Sequence, residues 1–248
     1  MNTRQDRKVV LFFTMTNPAV IVLAPIEPGS IRMDASGTIP VISPHDKAAD
    51  DLDTLNKARF RRAVILKTLE ACAQSDMISF QTPPSPEQHL TKAYADIHSE
   101  GLLQFLTTAW SRWEALGEDG REPGCSLDLG QEGLKNALIP DNTPLPRDPY
   151  QRPSQNVMGQ IGYYSTDKYT PIMEPLLKEL QWDSAIVQTA VDKAIDGPLV
   201  YAMPTHPGHH AAKDSFGGYC YLNQAAFAAR LFQSKHNLNK IAILDIGE

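Results

Sequence analysis

Two near-continuous apolar runs bracket a helical pattern near the end of the 248-residue sequence, and they restrict the fold more than any other feature. The first is Leu199-Val-Tyr-Ala-Met203 and the second is Ile241-Ala-Ile-Leu-Asp-Ile246. Strands buried on both faces read as unbroken apolar runs, whereas half-exposed strands alternate. Between them Leu222 to Phe232 carries Ala225, Ala226, Ala229 and Phe232 on one side, as a helix does. Strand, helix, strand in that order implies a parallel pair joined by a right-handed crossover. The fold class expected is therefore α/β, with a mostly parallel sheet covered on both faces.

The rest of the chain fits this plan. Val9 to Phe13 and Ala19 to Ala24 read as two buried strands joined by a turn, because Thr14, Thr16, Asn17 and Pro18 interrupt what could pass for a signal peptide. Pro25 to Ala48 reads as loop. Asp50 to Cys72 has Leu55, Ala58, Leu66, Leu69 and Cys72 at near-helical spacing, with a basic cluster on the solvated side. Glu87 to Tyr94 reads as a short helix, and Leu102 to Leu116 as a longer one with Leu103, Leu106, Trp110 and Trp113 on its face. Residues 117–152 are a long loop of Gly, Pro and charge, expected to be an insertion or a partner surface. Pro171 to Ile195 reads as helix, broken at Pro175 and capped by Gly197. The division expected is a segment 1–50 with one or two strands, followed by an α/β domain 51–248.

Ligands of such sheets bind outside the carboxyl ends of the strands. His206-Pro-Gly-His-His210 follows the strand at 199–203, and Asp245 stands at the end of the strand at 241–246. If those strands are neighbours, the histidines His209 and His210 and the carboxylate meet at one rim. An imidazole titrates near neutral pH and suits proton transfer or metal binding, and a carboxylate can orient it. Gly208, Gly217 and Gly218 allow close backbone approach, and Tyr219 offers an aromatic wall. Cys220 reads as core and His98 as structural. The sequence lacks a His-Glu-x-x-His motif, a Gly-x-Ser-x-Gly motif and a phosphate loop.

The formal charge of -6 argues against a nucleic-acid or anionic-membrane surface as the main partner. No run approaches the ~20 apolar residues of a membrane span. The three cysteines are odd in number and far apart, and no Asn-x-Ser/Thr sequon is present, so a reducing cytoplasmic or nuclear compartment is expected rather than secretion.

The run His-Pro-Gly-His-His-Ala, then Asp-x-x-Gly-Gly-Tyr-Cys-Tyr-Leu-Asn, then Ile-Ala-Ile-Leu-Asp-Ile resembles the zinc-dependent histone deacetylase superfamily. More narrowly, Ile97 to Trp113 and Gly159-Gln-Ile-Gly-Tyr-Tyr164 are similar to its acetylpolyamine amidohydrolase branch. The resemblance runs from about Ala58 to Ile246. It implies a three-layer, arginase/deacetylase-like sandwich and removal of an acetyl group from acetyl-lysine or an acetylpolyamine by zinc-activated water. It further implies His209 and His210 as general base and as general acid or electrostatic partner. Asp245 would bind the first of these and help hold a structural potassium. Gly218 and Tyr219 would line the acyl tunnel, with Glu100 as a rim acid. The long loop from Gly117 fits an insertion that in that branch helps form a homodimer.

The sequence also departs from the pattern. The family continues Leu-Asp-Ile-Asp-x-His-His, whose second Asp and following His are zinc ligands; here Gly247 stands at the Asp position, followed by Glu248. Met158 replaces a Glu that often precedes Gly-Gln-Ile-Gly-Tyr-Tyr. The expectation is therefore a deacetylase domain with its C-terminal part missing, truncated before the zinc ligands and not binding zinc itself. The alternative is an inactive, partner-binding remnant. A manganese ureohydrolase of the related arginase fold is disfavoured, because His-Pro-Gly-His-His is not its signature.

Overall fold

The computed structural model describes residues 19–23, 65, 78–121, 125–127, 137–141, 150–195, 197 and 199–245. The expected strand at 9–13, the loop 25–48, nearly all of the helix at 50–72, and Gly247 lie outside the described residues. Three parallel strands form the sheet: β1 (Ala19–Leu23) in the middle, β2 (Ile78–Gln81) on one side and β5 (Val200–Met203) on the other. Val20 pairs with Ser79 and with Val200. A second, two-stranded antiparallel ladder joins β3 (Ser126–Leu127) to β4 (Ala137–Leu138).

The helices are α1 (Leu90–Ala93), α2 (Glu100–Glu114), α3 (Val157–Tyr164), α4 (Leu176–Ala194) and α5 (Gln224–His236). Helices α2, α3 and α5 begin where a side chain satisfies free N–H groups of the first turn, whereas α4 begins after Pro175 with no such cap. Ser99 Oγ accepts from the Leu102 amide, Asn156 Oδ1 from Met158 and Asn223 Oδ1 from Ala226. Leu102, Leu103, Phe105, Leu106, Ala109 and Trp113 give α2 one buried face. Tyr164 packs on Gly101, where a Cβ would lie 2.5 Å from its hydroxyl, so α2 and α3 approach closely. The core fills the space between α2, α3, α4 and α5, with Trp113, Tyr94, Tyr221, Phe105, Phe216 and Phe227 all buried. On its other side α4 covers the sheet, with Ile186 and Ala190 against Val200 and Ala202.

Several sequence expectations are corrected. Residues 117–152 are not merely loop: Ala137 and Leu138 form a strand, fully buried, and Cys125 is 2% exposed. Leu138 bridges Ile172, so tertiary pairing supplies the order that periodicity could not reveal. The helix expected from Pro171 starts at Leu176, because Ile172 is engaged in that bridge. The Gly-containing run 157–164 forms a helix that its two glycines disguise. In α5 the buried residues are Gln224, Phe227 and Leu231 rather than the alanines, since the larger side chains gain more by burial.

The largest correction concerns the apolar run at 241–246. Residues 241–245 form no strand, and Ile243 and Leu244 are 57% and 86% exposed. An apolar run becomes a strand only where a neighbour accepts its ladder hydrogen bonds, and no pairing with β5 occurs among the described residues. Nor is the sheet covered on both faces there, since Phe80 and Tyr201 are 38% and 48% exposed. Beside β5, between α4 and α5, lies an open groove of about 300 Å³ lined by Val187, Val191, Val200, Ala202, Ala228 and Phe232.

Candidate active site

The loop 204–223 leaves the carboxyl end of β5 and carries His209, His210, Gly218 and Tyr219. Two of its aromatic residues anchor it in the core: Phe216 is fully buried near Phe105, and Tyr221 lies 5.5 Å from Phe216, centroid to centroid. Tyr221 also donates its hydroxyl hydrogen to the Pro171 carbonyl. The histidines are left at the surface, as are 241–245.

His209 and His210 stand with ring centroids 4.1 Å apart. His209 Nδ1 lies 3.1 Å from Asp245 Oδ2, with 34% and 54% of the two side chains exposed. The carboxylate thus reaches the first histidine although its segment forms no strand. A Cβ on Gly218 would meet His210 Cγ at 2.8 Å, so the absent side chain is what lets the ring lie there. Gly218 and Tyr219 have φ of +57° and +64°. Glu100, in the first turn of α2, is exposed and bonded to Gln104; no hydrogen bond joins it to the histidine pair.

Residues that sequence reasoning passed over hold this loop. Asp167 accepts at Oδ1 from the Tyr169 and Thr170 amides, both at 2.8 Å, and at Oδ2 from the Gly218 amide at 2.5 Å. Thr170 Oγ1 in turn accepts from the Tyr219 amide at 2.9 Å. The local signal was present: an Asp whose carboxylate accepts amides two and three residues on is an Asx-turn. On α4, Asp183 is fully buried and accepts from the Thr205 and His206 amides at 2.5 and 3.0 Å. Burial pushes its carboxyl up to about 6, against the nearby His206 and the two amide donors, which favour the charged form. At pH 7 it is therefore mainly ionised, as two N–H donors require. His206 Nε2 lies 3.1 Å from Glu179 Oε2, one turn earlier on α4.

His98 and Cys220 are structural, as expected. His98 Nδ1–H donates to the Ala212 carbonyl at 2.7 Å, while Nε2 accepts from the Asn223 amide at 2.9 Å. Those two bonds select the neutral tautomer, and burial lowers the ring's pKa. Cys220 Sγ accepts from the Gly208 amide at 3.1 Å, and burial raises its thiol pKa, which disfavours a reactive thiolate.

The donor set of the described residues does not suit a zinc ion. A catalytic zinc takes three protein ligands, and no group of three His, Cys, Asp or Glu side chains among the described residues could hold a metal. The His209 nitrogen nearest Asp245 is already engaged, and Gly247 has no ligating side chain.

Comparison with known proteins places the chain. Residues 55–247 match the histone deacetylase domain. The chain is 32% identical over 198 residues to the acetylpolyamine amidohydrolase of Mycoplana ramosa, covering 77% of this chain and 49% of that protein. It is also 32% identical to acetylpolyamine amidohydrolase 1 of Pseudomonas aeruginosa over 151 residues, 60% of this chain and 39% of that one. It thus spans half or less of the length of these relatives. The crystal structure of an acetylpolyamine aminohydrolase from Burkholderia pseudomallei superposes with a TM-score of 0.54 at 21% identity, over 87% of this chain and 53% of that chain, a likeness of fold. With a matched domain over most of its length and the paired histidines standing on the loop after β5, the chain belongs to the histone deacetylase family.

Proposed function

We propose that this chain carries the proton-transfer half of a hydrolase that removes an acetyl group from an acetylated amine, an acetylpolyamine or an acetyl-lysine. The observation that carries the reading is the Asp245–His209 contact at 3.1 Å beside the His210 ring. With Asp245 accepting from His209 Nδ1–H, Nε2 of the neutral ring is the atom that takes a proton from the attacking water. His210, the second imidazole, gives a proton of its own to the departing amine nitrogen, and proton exchange with water then resets both rings. Gly218 and Tyr219 border the same place, and Tyr219 supplies an apolar wall for an acyl chain. The names of the similar proteins support an acetylated amine as substrate.

The described residues do not fit the zinc that the family resemblance implies, and no step here is routed through it. The family's three-layer sandwich, a domain starting near residue 51, and a homodimer extend the same reading.

A second reading, an inactive partner-binding member, is favoured by Gly247 at a ligand position and by the exposed Ile243 and Leu244. Acetate release from N-acetylputrescine and from an acetyl-lysine peptide, with and without added zinc, separates the two. The hydrolase reading expects release that His209→Ala and His210→Ala reduce by about 10²-fold or more. Release no greater than in those variants would favour the binding reading.

A further inference from the structure

Between β5 and His209 the chain runs Pro204-Thr-His-Pro-Gly208. Proline has no amide hydrogen, so this stretch has three backbone donors, and each is held. Asp183 takes the Thr205 and His206 amides on its two separate oxygens, and Cys220 Sγ takes the Gly208 amide. The remaining freedom is restricted by the proline rings, while Gly208 at φ +103° makes the turn into the histidines. Its Cβ would meet the Gln224 amide nitrogen at 2.6 Å, so the turn has no room to shift toward α5.

A carboxylate buried to 0% exposure is costly unless its hydrogen bonds repay the lost hydration. Asp183 touches no residue of the histidine pair by any hydrogen bond described, so its cost is not explained by proton transfer. It is explained by shape. Two neighbouring amides that point the same way need two acceptors on one rigid group. Asn would offer one acceptor and oppose the other amide with its own NH₂. Four residues earlier on the same helix face, Glu179 meets the His206 ring, against which Tyr221 also lies, edge-on at 4.8 Å.

We propose that Asp183 is a positioning residue for the histidine pair: with Glu179 and His206 as an outer latch, it locks the strand-to-histidine turn to helix α4. The relevance to catalysis rests on the hydrolase reading above, but the lock itself does not. The groups that face Asp183 are His206 on the loop, Glu179 on α4 and Tyr94 after α1.

The test is Asp183→Asn in the full chain, labelled with ¹⁵N, followed by amide exchange and the ring resonances of His209 and His210. Leu180→Ala, a fully buried change one turn away with no hydrogen bond to the loop, serves as control for lost stability. We expect exchange of the Thr205 and His206 amides to rise by about tenfold or more over the control, with both histidine rings shifted. Where the wild type hydrolyses acetylputrescine, kcat falls about tenfold to a hundredfold with KM little changed, as for a displaced catalytic group. If the wild type has no hydrolysis, the function proposal fails, while exchange and ring shifts still decide the lock. Unchanged exchange at both amides, or the same ring shifts in Leu180→Ala, overturns it. Should Asp183→Asn fail to fold, Glu179→Gln decides in its place. Faster exchange at His206 with a moved ring signal supports the latch, and no change at either overturns the proposal.

Discussion

At the scale of single residues, what the histidine pair can do is set by groups that never touch a substrate. His98 is the plainest case, since both its ring nitrogens are spent on backbone partners, Ala212 and Asn223, on either side of the loop. Because burial lowers its pKa below 6.5, the unfolded chain binds a proton that the folded one resists. The stability His98 contributes is fully present above pH 6.5 and is lost as pH falls from there through the folded value. Asp183 works in the opposite sense: its raised value makes the folded state the better proton binder between about 3.8 and about 6. The two are separable by mutation. Urea unfolding at pH 7.5 and 5.5 should show wild type losing more stability on acidification than His98→Asn, by at most ~1.4 kcal/mol per pH unit for one proton. Equal losses would show that His98 does not titrate across unfolding. The role of Cys220 was legible in the sequence because it stands between Tyr219 and Tyr221, and that of His98 because it is a lone histidine with no second one beside it. Asp183 was not legible, because a single acid on an amphipathic helix looks like a solvated one until burial is known.

At the scale of elements, helices were easier to read than strands. Helix α2 declares itself through Ser99 and six buried side chains at helical spacing, all local information. The strand β4 is a two-residue element held by β3 on one side and by a bridge to the remote Ile172, and nothing within Ala137–Leu138 foretells it. The run at 241–246 shows the reverse error: its composition is that of a strand, but partner strands, not composition, make one. Helix α5 depends on Asn223, whose side chain accepts from the Ala226 amide at 3.0 Å and donates to the Ala211 carbonyl at 3.2 Å, and whose own amide donates to His98 Nε2. Asn223→Ala removes the first two bonds. It should cost about 1–2 kcal/mol by urea or thermal unfolding, with residues 211–223 gaining amide exchange before the rest. A loss below ~0.5 kcal/mol would mean that the cap is dispensable.

At the scale of the whole molecule, the placing of the histidines after β5 was foreseeable from one apolar run and one motif, whereas the parallel pairing comes from β1 and β2 and not from the run at 241–246. What the sequence could not convey is which faces are covered, because that depends on segments remote from each other. The open side is substantial: Tyr201 on β5, Ile243 and Leu244 beyond α5, and the groove between α4 and α5 all offer apolar surface to water. Among the described residues no helix is long and apolar enough to cross a membrane. Its consequence is colloidal. Apolar surface beside an unpaired strand edge recruits like surface from other molecules. This chain, purified as it stands, should bind the dye ANS in its native state and lose solubility as ammonium sulfate rises, earlier than its charge of -6 would suggest. Ile243→Asp with Leu244→Lys should raise that salt threshold while leaving the urea midpoint within ~0.5 kcal/mol. How readily the chain stays dissolved is thus written in the same few side chains that leave its sheet open.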